Sequence, residues 1–253
     1  MFSFLFQDRA SRVIIGWKRG VGMQIAMIIV FLLLSYALGS IPSGLWIGKI
    51  VKNVDIREYG SKNTGATNAI RVLGFKTGIW AFVFDALKGA IVMLILLWSG
   101  LEQYHVIAIN GADVDLIALY GMVAVLGHVF PVYIGFKGGK AVATSAGMIL
   151  AIEPVLGLTI LLIFLLMFKK TRYVSLASTT AAVSVLVLYA LRIVIMTSDL
   201  GAFSFLQHYY LKRGWGKTTY VLEFVIEACL ATLIFLRHRK NYKRLREGTE
   251  HQF

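Results

Sequence analysis

Long apolar runs separated by short polar segments make up most of this sequence. Runs that carry few charged residues lie at 21–38, 79–98, 116–134, 174–191 and 220–236. A helix needs about 20 apolar residues to cross a bilayer. The pattern therefore predicts an all-α, polytopic membrane protein of about seven transmembrane helices, at 21–48, 78–99, 115–135, 141–152, 155–169, 173–196 and 218–237.

Two of the predicted spans are short, about 12 and 15 residues against the usual 20 or so. They are 141–152 and 155–169, and they flank Glu153 and Pro154. They fit either two thin spans or a re-entrant pair. Under either interpretation, the two together return the chain to the side of the membrane that it left.

The chain divides into residues 1–20 and a single membrane domain, 21–253, because no internal repeat, low-complexity tract or linker interrupts the second range. Residues 1–20 mix apolar and basic side chains, which is typical of an amphipathic segment at the membrane interface. A cleavable signal peptide fits them less well, since no small-residue cleavage site follows the next apolar run.

Composition supports a membrane environment, because 58% of the residues are hydrophobic, against about 45–50% in soluble domains. The formal net charge is +13, and the basic residues flank apolar runs. Membrane lipids and small anionic substrates are therefore favoured as partners over nucleic acid. The single cysteine, Cys229, lies in an apolar run, which excludes disulfides and thiolate metal sites. No metal site is predicted.

The distribution of Lys and Arg predicts the orientation in the membrane. The 49–76 segment is rich in them, whereas 100–115 has none and carries Glu102, Asp113 and Asp115. We therefore predict that 49–76, the later basic turns and the basic C-terminal tail are cytoplasmic, and that 100–115 and the N-terminus are outside. The opposite orientation would misplace more charge, although this one is violated by Arg9, Arg12, Lys18, Arg19, Lys212, Arg213 and Lys217.

The segment DIREYGSKNTGATNAIRVLG, residues 55–74, concentrates polar groups between two apolar runs. Its hydroxyls and amides, the backbone amides near its glycines and the guanidinium of Arg71 form a set of donors that suits a phosphate. The alternative is a polar turn that caps a helix beginning near Gly65. Besides Arg71, the candidate site residues are Ser61, Asn63, Thr67 and Asn68.

The segment FKGGKAVATSAG, residues 136–147, places two glycines between two lysines. Gly138 and Gly139 allow the backbone to fold around an oxyanion, the following helix offers its N-terminus, and Lys137 and Lys140 add positive charge. The spacing differs from the Walker A motif, so a nucleoside triphosphate is not indicated. The alternative is that both lysines snorkel at a membrane edge.

The segment RHRKNYKRLREGTE, residues 237–250, places His238 and Asn241 three positions apart, on one face of a helix. The alternative is a basic tail that stops membrane transfer. Ser175 and Ser178, at the start of the sixth predicted span, are further candidates for substrate binding, although small polar residues there usually pack helices together.

Together and in this order, these segments resemble the bacterial acyl-phosphate:glycerol-3-phosphate acyltransferases. The resemblance extends from about Gly39 to Glu250 and is carried by GSKNTGATNAIRVLG, FDALKG, GHVFPVYIGFKGGKAVAT, TRYVSLAS and RHRKNYKRLREGTE. It implies an enzyme of the bacterial cytoplasmic (inner) membrane that transfers a fatty acyl group from acyl phosphate to the 1-hydroxyl of sn-glycerol 3-phosphate. The products would be 1-acyl-sn-glycerol 3-phosphate and phosphate, at the first step of phospholipid synthesis.

The resemblance also implies roles for individual residues. Ser61 and Arg71 match a serine and an arginine that are essential in the family. Residues 137–140 match its glycerol-phosphate loop, and His238 and Asn241 match its third motif.

Two positions depart from the family pattern. Lys62 and Ala141 stand where the family commonly has glycine. Lys62 adds a cation, which is compatible with a phosphate site. Ala141 would restrict the loop only if its backbone needs a positive φ.

The chemistry of acyl phosphate suits a basic site without a strong general acid, because its leaving group is a stable phosphate. Both substrates are anions, so cations that offset their repulsion and groups that orient them would supply most of the rate enhancement. We expect no metal, no cofactor, no covalent acyl-enzyme and no obligate protein partner. His238 is the one candidate base. We favour it as a donor that positions substrate, because a substrate phosphate can accept the proton.

Two other functions fit the sequence less well. A soluble-type glycerolipid acyltransferase needs an HxxxxD pair, and none of the five histidines has Asp five residues on. A membrane transporter for a phosphorylated anion needs charge within the membrane, but the cationic groups collect at one face, and charge near the midplane is scarce apart from Asp85, Lys88, Glu223 and Glu227. Asp85 and Lys88 are expected to form an ion pair near a helix end.

Overall fold

The computed structural model describes residues 4–101, 104–109, 112–197 and 217–253, and most of them are helical. The helices are α1 (Phe4–Gly39), α2 (Ser43–Lys52), α3 (Ala66–Leu73), α4 (Phe75–Trp98), α5 (Ile117–Val129), α6 (Val142–Ile152), α7 (Pro154–Thr171), α8 (Val174–Thr197), α9 (Lys217–Arg237) and α10 (Arg239–Arg246). The other described elements are a 3₁₀ turn, Val132–Ile134, and two strands, β1 (Val106–Ile109) and β2 (Ala112–Asp115). The predicted all-α class is confirmed, with one hairpin added.

Within the part of the chain that the structure describes, five helices are long and apolar enough to cross a membrane, which agrees with a polytopic membrane protein. They are Gly20–Gly39 within α1, Phe75–Trp98, Ile117–Ile134, Pro154–Thr171 and Val174–Thr197. The two remaining predicted spans correspond to α6, of 11 residues, and α9, of 21 residues. That these two also cross the membrane stays a prediction.

The paired spans around Glu153 and Pro154 differ in length. α7 has 18 residues, which is about 27 Å of helix and close to the hydrocarbon thickness of a bilayer. α6, with 11 residues, extends for only about 16 Å. α7 is therefore a helix of ordinary spanning length, and α6 is the shorter member of the pair.

The first predicted span, 21–48, is interrupted in the structure. α1 ends at Gly39 and α2 begins after Pro42, because proline has no N–H for a helical hydrogen bond and disfavours helical backbone at the residue before it. Nζ of Lys88 donates to the carbonyl oxygen of Ile41 in this break, at 2.7 Å. A charged side chain of α4 thus shares this carbonyl oxygen with the backbone N–H of Ser43, which donates to it at 3.0 Å.

The other end of α1 also differs from the predicted boundary. The helix begins at Phe4 and continues past residue 20 without a break, so the segment 1–20 and the first span share one helical backbone. The side chains before residue 20 lie outside the described residues. The interfacial location of this segment stays a prediction.

The predicted acidic loop between α4 and α5 contains a hairpin. β1 and β2 are antiparallel, with Val106 opposite Asp115, and the β-branched residues of β1 favour a strand. The Asp115 carboxylate accepts a hydrogen bond from the backbone N–H of Ile117 at 2.8 Å and lies 2.9 Å from Nδ1 of His105. Asp115 therefore ties the hairpin to the first residues of α5.

α4 lies at the centre of the described helices and packs against α2, α3, α5 and α6. It approaches α6 closely, because a Cβ at Gly89 would lie 2.1 Å from the carbonyl oxygen of Thr144, and one at Gly147 would lie 2.0 Å from that of Ala86. Glycines commonly permit such backbone contact between membrane helices. This contact fixes the start of α6, where the glycine-rich segment ends.

A buried ionic cluster joins α8, α9 and the α6–α7 junction. Nη1 of Arg192 lies 2.8 Å from Oε1 of Glu153 and 2.7 Å from Oε2 of Glu223. Loss of one member of a buried pair leaves an uncompensated charge, which is strongly destabilising. The cluster therefore holds Glu153, at the start of α7, against the end of α8.

Candidate active site

A cavity of about 110 Å³ lies among α3, α4, α5, α6, α7, α8 and α10, and we call it the cationic cavity. Most residues predicted from the separate polar segments line it. They are Ser61, Asn63, Thr67, Asn68, Arg71, Lys140, Ser175, Ser178, His238 and Asn241. The structure therefore brings the three segments together at one place.

The cationic cavity also has an apolar wall, formed by Phe82, Val142, Ala143, Phe164 and Val174. Charged and hydrogen-bonding groups thus face hydrocarbon across a small space. Such a combination suits an amphipathic ligand with an anionic head and an apolar chain.

Asn68 organises the backbone of the first segment. Its Oδ1 accepts a hydrogen bond from the N–H of Ser61 at 2.8 Å, and its Nδ2 donates to the carbonyl oxygens of Ile56 and Asn63 at 2.7 and 2.9 Å. Both ends of the amide are therefore engaged within the loop. The contacts favour Asn68 as the residue that holds Ser61 at the cavity.

The helix predicted to begin near Gly65 is confirmed as α3, which begins at Ala66. Oδ1 of Asn63 accepts a hydrogen bond from the N–H of Gly65 at 2.9 Å, which satisfies one of the open donors where the helix starts. Arg71 lies in the last turn of the same helix. The polar turn and the candidate site are thus two roles of one segment.

The two glycines of the second segment do not present their amides to the cavity, which corrects the role expected for them. Their N–H groups donate to backbone carbonyl oxygens, Gly138 to Val129 at 3.1 Å and Gly139 to His128 at 3.0 Å. A Cβ at Gly139 would lie 2.0 Å from Nε2 of His128. The glycines are needed because the loop packs directly against the end of α5.

The lysines that flank these glycines lie in different surroundings. The Lys140 side chain enters the cationic cavity, whereas Lys137 is exposed and is not among the residues that line it. A direct role of Lys137 in substrate binding stays a prediction. Arg237, which the sequence did not single out, donates to the carbonyl oxygens of Gly138 and Gly139 at 2.8 and 3.1 Å.

Glu250 connects the second and third segments through a chain of hydrogen bonds. Nζ of Lys140 donates to Oδ1 of Asn241 at 2.7 Å, and Nδ2 of Asn241 donates to Glu250 at 2.6 Å. Nε of Arg244 and the hydroxyl of Ser175 donate to the same carboxylate at 2.7 and 3.2 Å. The sequence reading missed Glu250; the available signal was an acidic side chain within a strongly basic segment.

The surroundings of Lys140 and Glu250 change their ionisation. Burial lowers the pKa of Lys140 to about 8, against the opposing attraction of Glu250 and with added repulsion from Arg244 and Arg71. Burial disfavours the charged form of Glu250, but hydrogen bonds from Asn241 and Arg244 outweigh it, and the pKa of Glu250 lies below its ordinary value. At neutral pH Glu250 is therefore an ionised carboxylate among several cations.

His238 has the opposite hydrogen-bonding role from the one expected. Its Nδ1 lies 2.8 Å from the carbonyl oxygen of Ile234, so Nδ1 carries the proton and Nε2 is left as an acceptor. Burial, with repulsion from Lys140, lowers the pKa of His238 to about 4. A neutral imidazole with a free acceptor suits a ligand hydroxyl, and we therefore correct the predicted donor role to an acceptor role.

Ser175 and Ser178 both line the cavity but make different hydrogen bonds, and their predicted role in substrate binding stays a prediction. The Ser175 hydroxyl donates to Glu250, as described above. The Ser178 hydroxyl donates to the carbonyl oxygen of Val174 at 2.7 Å, one turn earlier in α8. Ser178 thus has the local hydrogen bond that is common for serine within helices.

The predicted Asp85–Lys88 ion pair is confirmed, with 2.7 Å between Nζ and Oδ1. It lies in the middle of α4 rather than near a helix end. Nδ1 of His128 lies 3.5 Å from the same carboxylate oxygen, and both Asp85 and His128 line the cavity. The sequence reading did not place either residue at the site.

Both departures from the family pattern have left-handed backbone. Lys62 has φ of 57° and Ala141 has φ of 73°, a region in which residues other than glycine cost roughly 1–2 kcal/mol. Ala141 immediately precedes α6. The condition under which Ala141 would restrict the loop is therefore met.

The fold and the cavity together define a polytopic membrane protein with a cationic, donor-rich site beside an apolar wall. A family model described as glycerol-3-phosphate acyltransferase matches residues 29–248. The glycerol-3-phosphate acyltransferase of Fusobacterium nucleatum is 42% identical over 223 residues, which cover 88% of this chain and 96% of that one. That of Acholeplasma laidlawii is 37% identical over 233 residues, covering 92% and 95%. The chain belongs to the glycerol-3-phosphate acyltransferase family.

Solved structures agree with this assignment. Two crystal structures of PlsY, an integral membrane glycerol 3-phosphate acyltransferase, match at 36% identity and cover 89% of this chain and 95% of theirs. The TM-score is 0.70 for the glycerol 3-phosphate form and 0.68 for the lysophosphatidic acid form. The resemblance inferred from the motifs is thereby confirmed.

Proposed function

We propose that this protein transfers a fatty acyl group from acyl phosphate to the 1-hydroxyl of sn-glycerol 3-phosphate. The products are 1-acyl-sn-glycerol 3-phosphate and phosphate, and the reaction is the first step of membrane phospholipid synthesis. The observation that carries the proposal is the convergence of Ser61, Arg71, Lys140 and Asn241 on one cavity. The PlsY crystal structures support the acceptor, because their described forms contain glycerol 3-phosphate or lysophosphatidic acid.

Electrostatic stabilisation by cationic side chains is the main source of catalysis in the proposed mechanism. Glycerol 3-phosphate and acyl phosphate repel each other until cations lie between or beside their phosphates. Arg71 and Lys140 supply positive charge within the cavity, and Arg244 lies close enough to influence both Lys140 and Glu250. Donors fixed before the reaction stabilise developing charge without reorganising, which makes them more effective than water.

The acyl transfer balances without a covalent enzyme intermediate. The 1-hydroxyl oxygen of glycerol 3-phosphate bonds to the acyl carbonyl carbon, the bond from that carbon to the phosphate oxygen breaks, and the hydroxyl proton passes to a phosphate oxygen. His238 accepts a hydrogen bond from a glycerol hydroxyl through Nε2 and so orients it. The low pKa of His238, about 4, makes it a weak base and favours the phosphate as proton acceptor.

We further propose that the cavity faces the cytoplasm of a bacterial inner membrane, with the N-terminus outside and the C-terminus inside. The supporting observation is the concentration of Lys and Arg in 49–76 and 237–250, against none in 100–115. An impermeant maleimide on intact cells tests it in a Cys229→Ser background. Cysteine in place of Gln103 should react readily, and cysteine in place of Thr249 only after lysis; the reverse result contradicts this orientation.

The activity is tested with purified protein in detergent, radiolabelled glycerol 3-phosphate and palmitoyl phosphate. We expect labelled 1-acylglycerol 3-phosphate with acyl phosphate. We expect no product when acyl-CoA or the acyl thioester of acyl-carrier protein replaces it. Turnover with either thioester in place of acyl phosphate would contradict the proposed donor. Uptake of label into sealed vesicles without a lipid product would instead favour the transporter alternative, which family membership argues against.

A further inference from the structure

Arg71 is held in an unusual way for a side chain of the cationic cavity. Its Cζ lies 4.6 Å from the centre of the Phe253 ring. Among the described residues, no hydrogen bond or ion pair engages its guanidinium, in contrast to Lys140 and Arg244. Among these residues, the Phe253 ring beneath Cζ is therefore the specific contact of this guanidinium.

Phe253 is itself anchored at the C-terminal end of α7. Its backbone N–H donates to the carbonyl oxygen of Arg172 at 3.1 Å, and its ring meets Phe168 edge-on with 6.1 Å between centroids. Phe168 stacks on Phe164 at 6.3 Å, and Phe164 lines the cavity. The Phe253 ring thus contacts both Phe168, near the end of α7, and the guanidinium of Arg71 on α3.

A ring face restrains an arginine without using its donors. The N–H groups of a guanidinium lie in its plane, so a ring stacked on that plane leaves them free to bind an anion. A carboxylate partner would instead occupy the donors and compete with a substrate phosphate. Stacking also lowers the rotamer freedom that a long arginine side chain would otherwise lose when it binds.

We propose that Phe253 is a positioning residue that holds the Arg71 guanidinium in its phosphate-binding orientation. This inference rests on the proposed function, because it assigns Arg71 to a substrate phosphate. Phe253 itself needs no contact with substrate. It lies outside the segments that carry the family resemblance, which end at Glu250.

The test compares three variants with the wild type. Arg71→Lys first identifies the substrate whose KM depends on the guanidinium. Phe253→Leu keeps apolar volume against Phe168 but removes the ring face, and Phe253→Tyr keeps the ring. We expect Phe253→Leu to raise the KM for that same substrate about two- to fivefold, the effect of one exposed cation–π contact, with a smaller change in kcat, whereas Phe253→Tyr keeps the wild-type KM.

The outcomes are distinguishable from a general loss of structure and from failure of the proposed function. An unchanged melting temperature of Phe253→Leu in detergent shows that its KM effect is local. If Phe253→Leu has wild-type KM values, or raises only the KM of the other substrate, Phe253 does not position Arg71. If Phe253→Tyr loses as much as Phe253→Leu, the ring face is not responsible. Absence of lipid product with the wild type would overturn the proposed function instead.

Discussion

Nζ of Lys140 lies 2.7 Å from Oδ1 of Asn241, although 101 positions separate the two residues in the chain. This hydrogen bond joins the glycine-rich segment to the basic tail across the cationic cavity. The same asparagine then donates to Glu250. A neutral amide therefore orients the lysine and separates it from the Glu250 carboxylate in the hydrogen-bond chain. The arrangement leaves Lys140 charged and directed at the cavity without a direct carboxylate partner.

The two lysines of the second segment should therefore differ in importance. Lys140→Ala should lower kcat/KM by about 10- to 100-fold, because a charge-assisted hydrogen bond is worth about 1.5–3 kcal/mol. Lys137→Ala, at an exposed position outside the cavity, should change kcat/KM by less than about threefold. Steady-state kinetics with both substrates measures the difference. Equal losses would mean that the loop, rather than the orientation of Lys140, determines binding.

The low pKa of Lys140 predicts a basic limb in the pH profile. Burial lowers this pKa to about 8, so Lys140 is a cation below that pH and becomes neutral as the pH rises through it. A neutral lysine no longer compensates a phosphate. We therefore expect kcat/KM, which reports the free enzyme, to fall above about pH 8.

Lys140→Arg is the matched control for this limb, because a guanidinium stays charged throughout the accessible pH range. The variant should lose some activity through its different shape, but its fall in kcat/KM should move to higher pH. If the limb of Lys140→Arg coincides with that of the wild type, another group titrates there. The limb should also persist unchanged in Lys137→Ala.

Gly139→Ala should disturb the packing of the loop rather than a hydrogen bond to substrate. Its Cβ would lie 2.0 Å from Nε2 of His128, so either the imidazole or the loop must move. We expect a lower melting temperature and an increase in KM for both substrates. An increase confined to glycerol 3-phosphate would restore the oxyanion role that the sequence suggested.

A double variant separates the two explanations. His128→Ala removes the ring that the new methyl group would meet, so Gly139→Ala should cost less stability in that background than in the wild type. Residues in direct contact commonly show such coupling, about 0.5–3 kcal/mol in double-mutant cycles. Additive losses of stability would contradict the packing explanation.

The helical framework could be predicted from the sequence because a membrane span requires a long run of apolar residues. The predicted spans 78–99 and 173–196 lie close to α4 and α8, whereas the predicted span 115–135 continues beyond the end of α5 at Val129. The break before α2 was also open to prediction, since Pro42 is incompatible with the helix interior, but the continuous apolar pattern on both sides concealed it. The hairpin was missed because strands of four residues give a weak periodic signal.

The sequence predicted which residues belong to the candidate site better than it predicted what each of them does there. Residue types that suit phosphate were visible at Ser61, Arg71 and Lys140, and the order of the motifs implied that they act together. Which groups face the cavity depends on packing that no motif specifies. The amides of Gly138 and Gly139 donate to backbone carbonyl oxygens at the end of α5. No local sequence pattern indicates that these amides are unavailable to a ligand.

Ala141 illustrates how two effects of similar size cancel. Its left-handed backbone, at φ of 73°, costs roughly 1–2 kcal/mol. Its methyl group is fully buried and contributes about 0.8 kcal/mol, and glycine in its place would add about 0.4–1 kcal/mol of entropy to the unfolded chain. Ala141→Gly should therefore change the free energy of unfolding by less than about 1 kcal/mol.

Lys62 is the position where the backbone effect should be measurable. It has φ of 57° and its side chain is exposed, so substitution removes little buried surface. Lys62→Ala removes the charge but keeps a Cβ in the left-handed region, whereas Lys62→Gly removes both. Relative to Lys62→Ala, Lys62→Gly should be more stable by about 0.5–1 kcal/mol, the cost of left-handed backbone less the entropy of glycine. Thermal unfolding of the two purified variants in one detergent measures this difference, which the common loss of charge does not affect. If Lys62→Gly melts at or below the temperature of Lys62→Ala, the first segment does not hold this residue in a left-handed conformation.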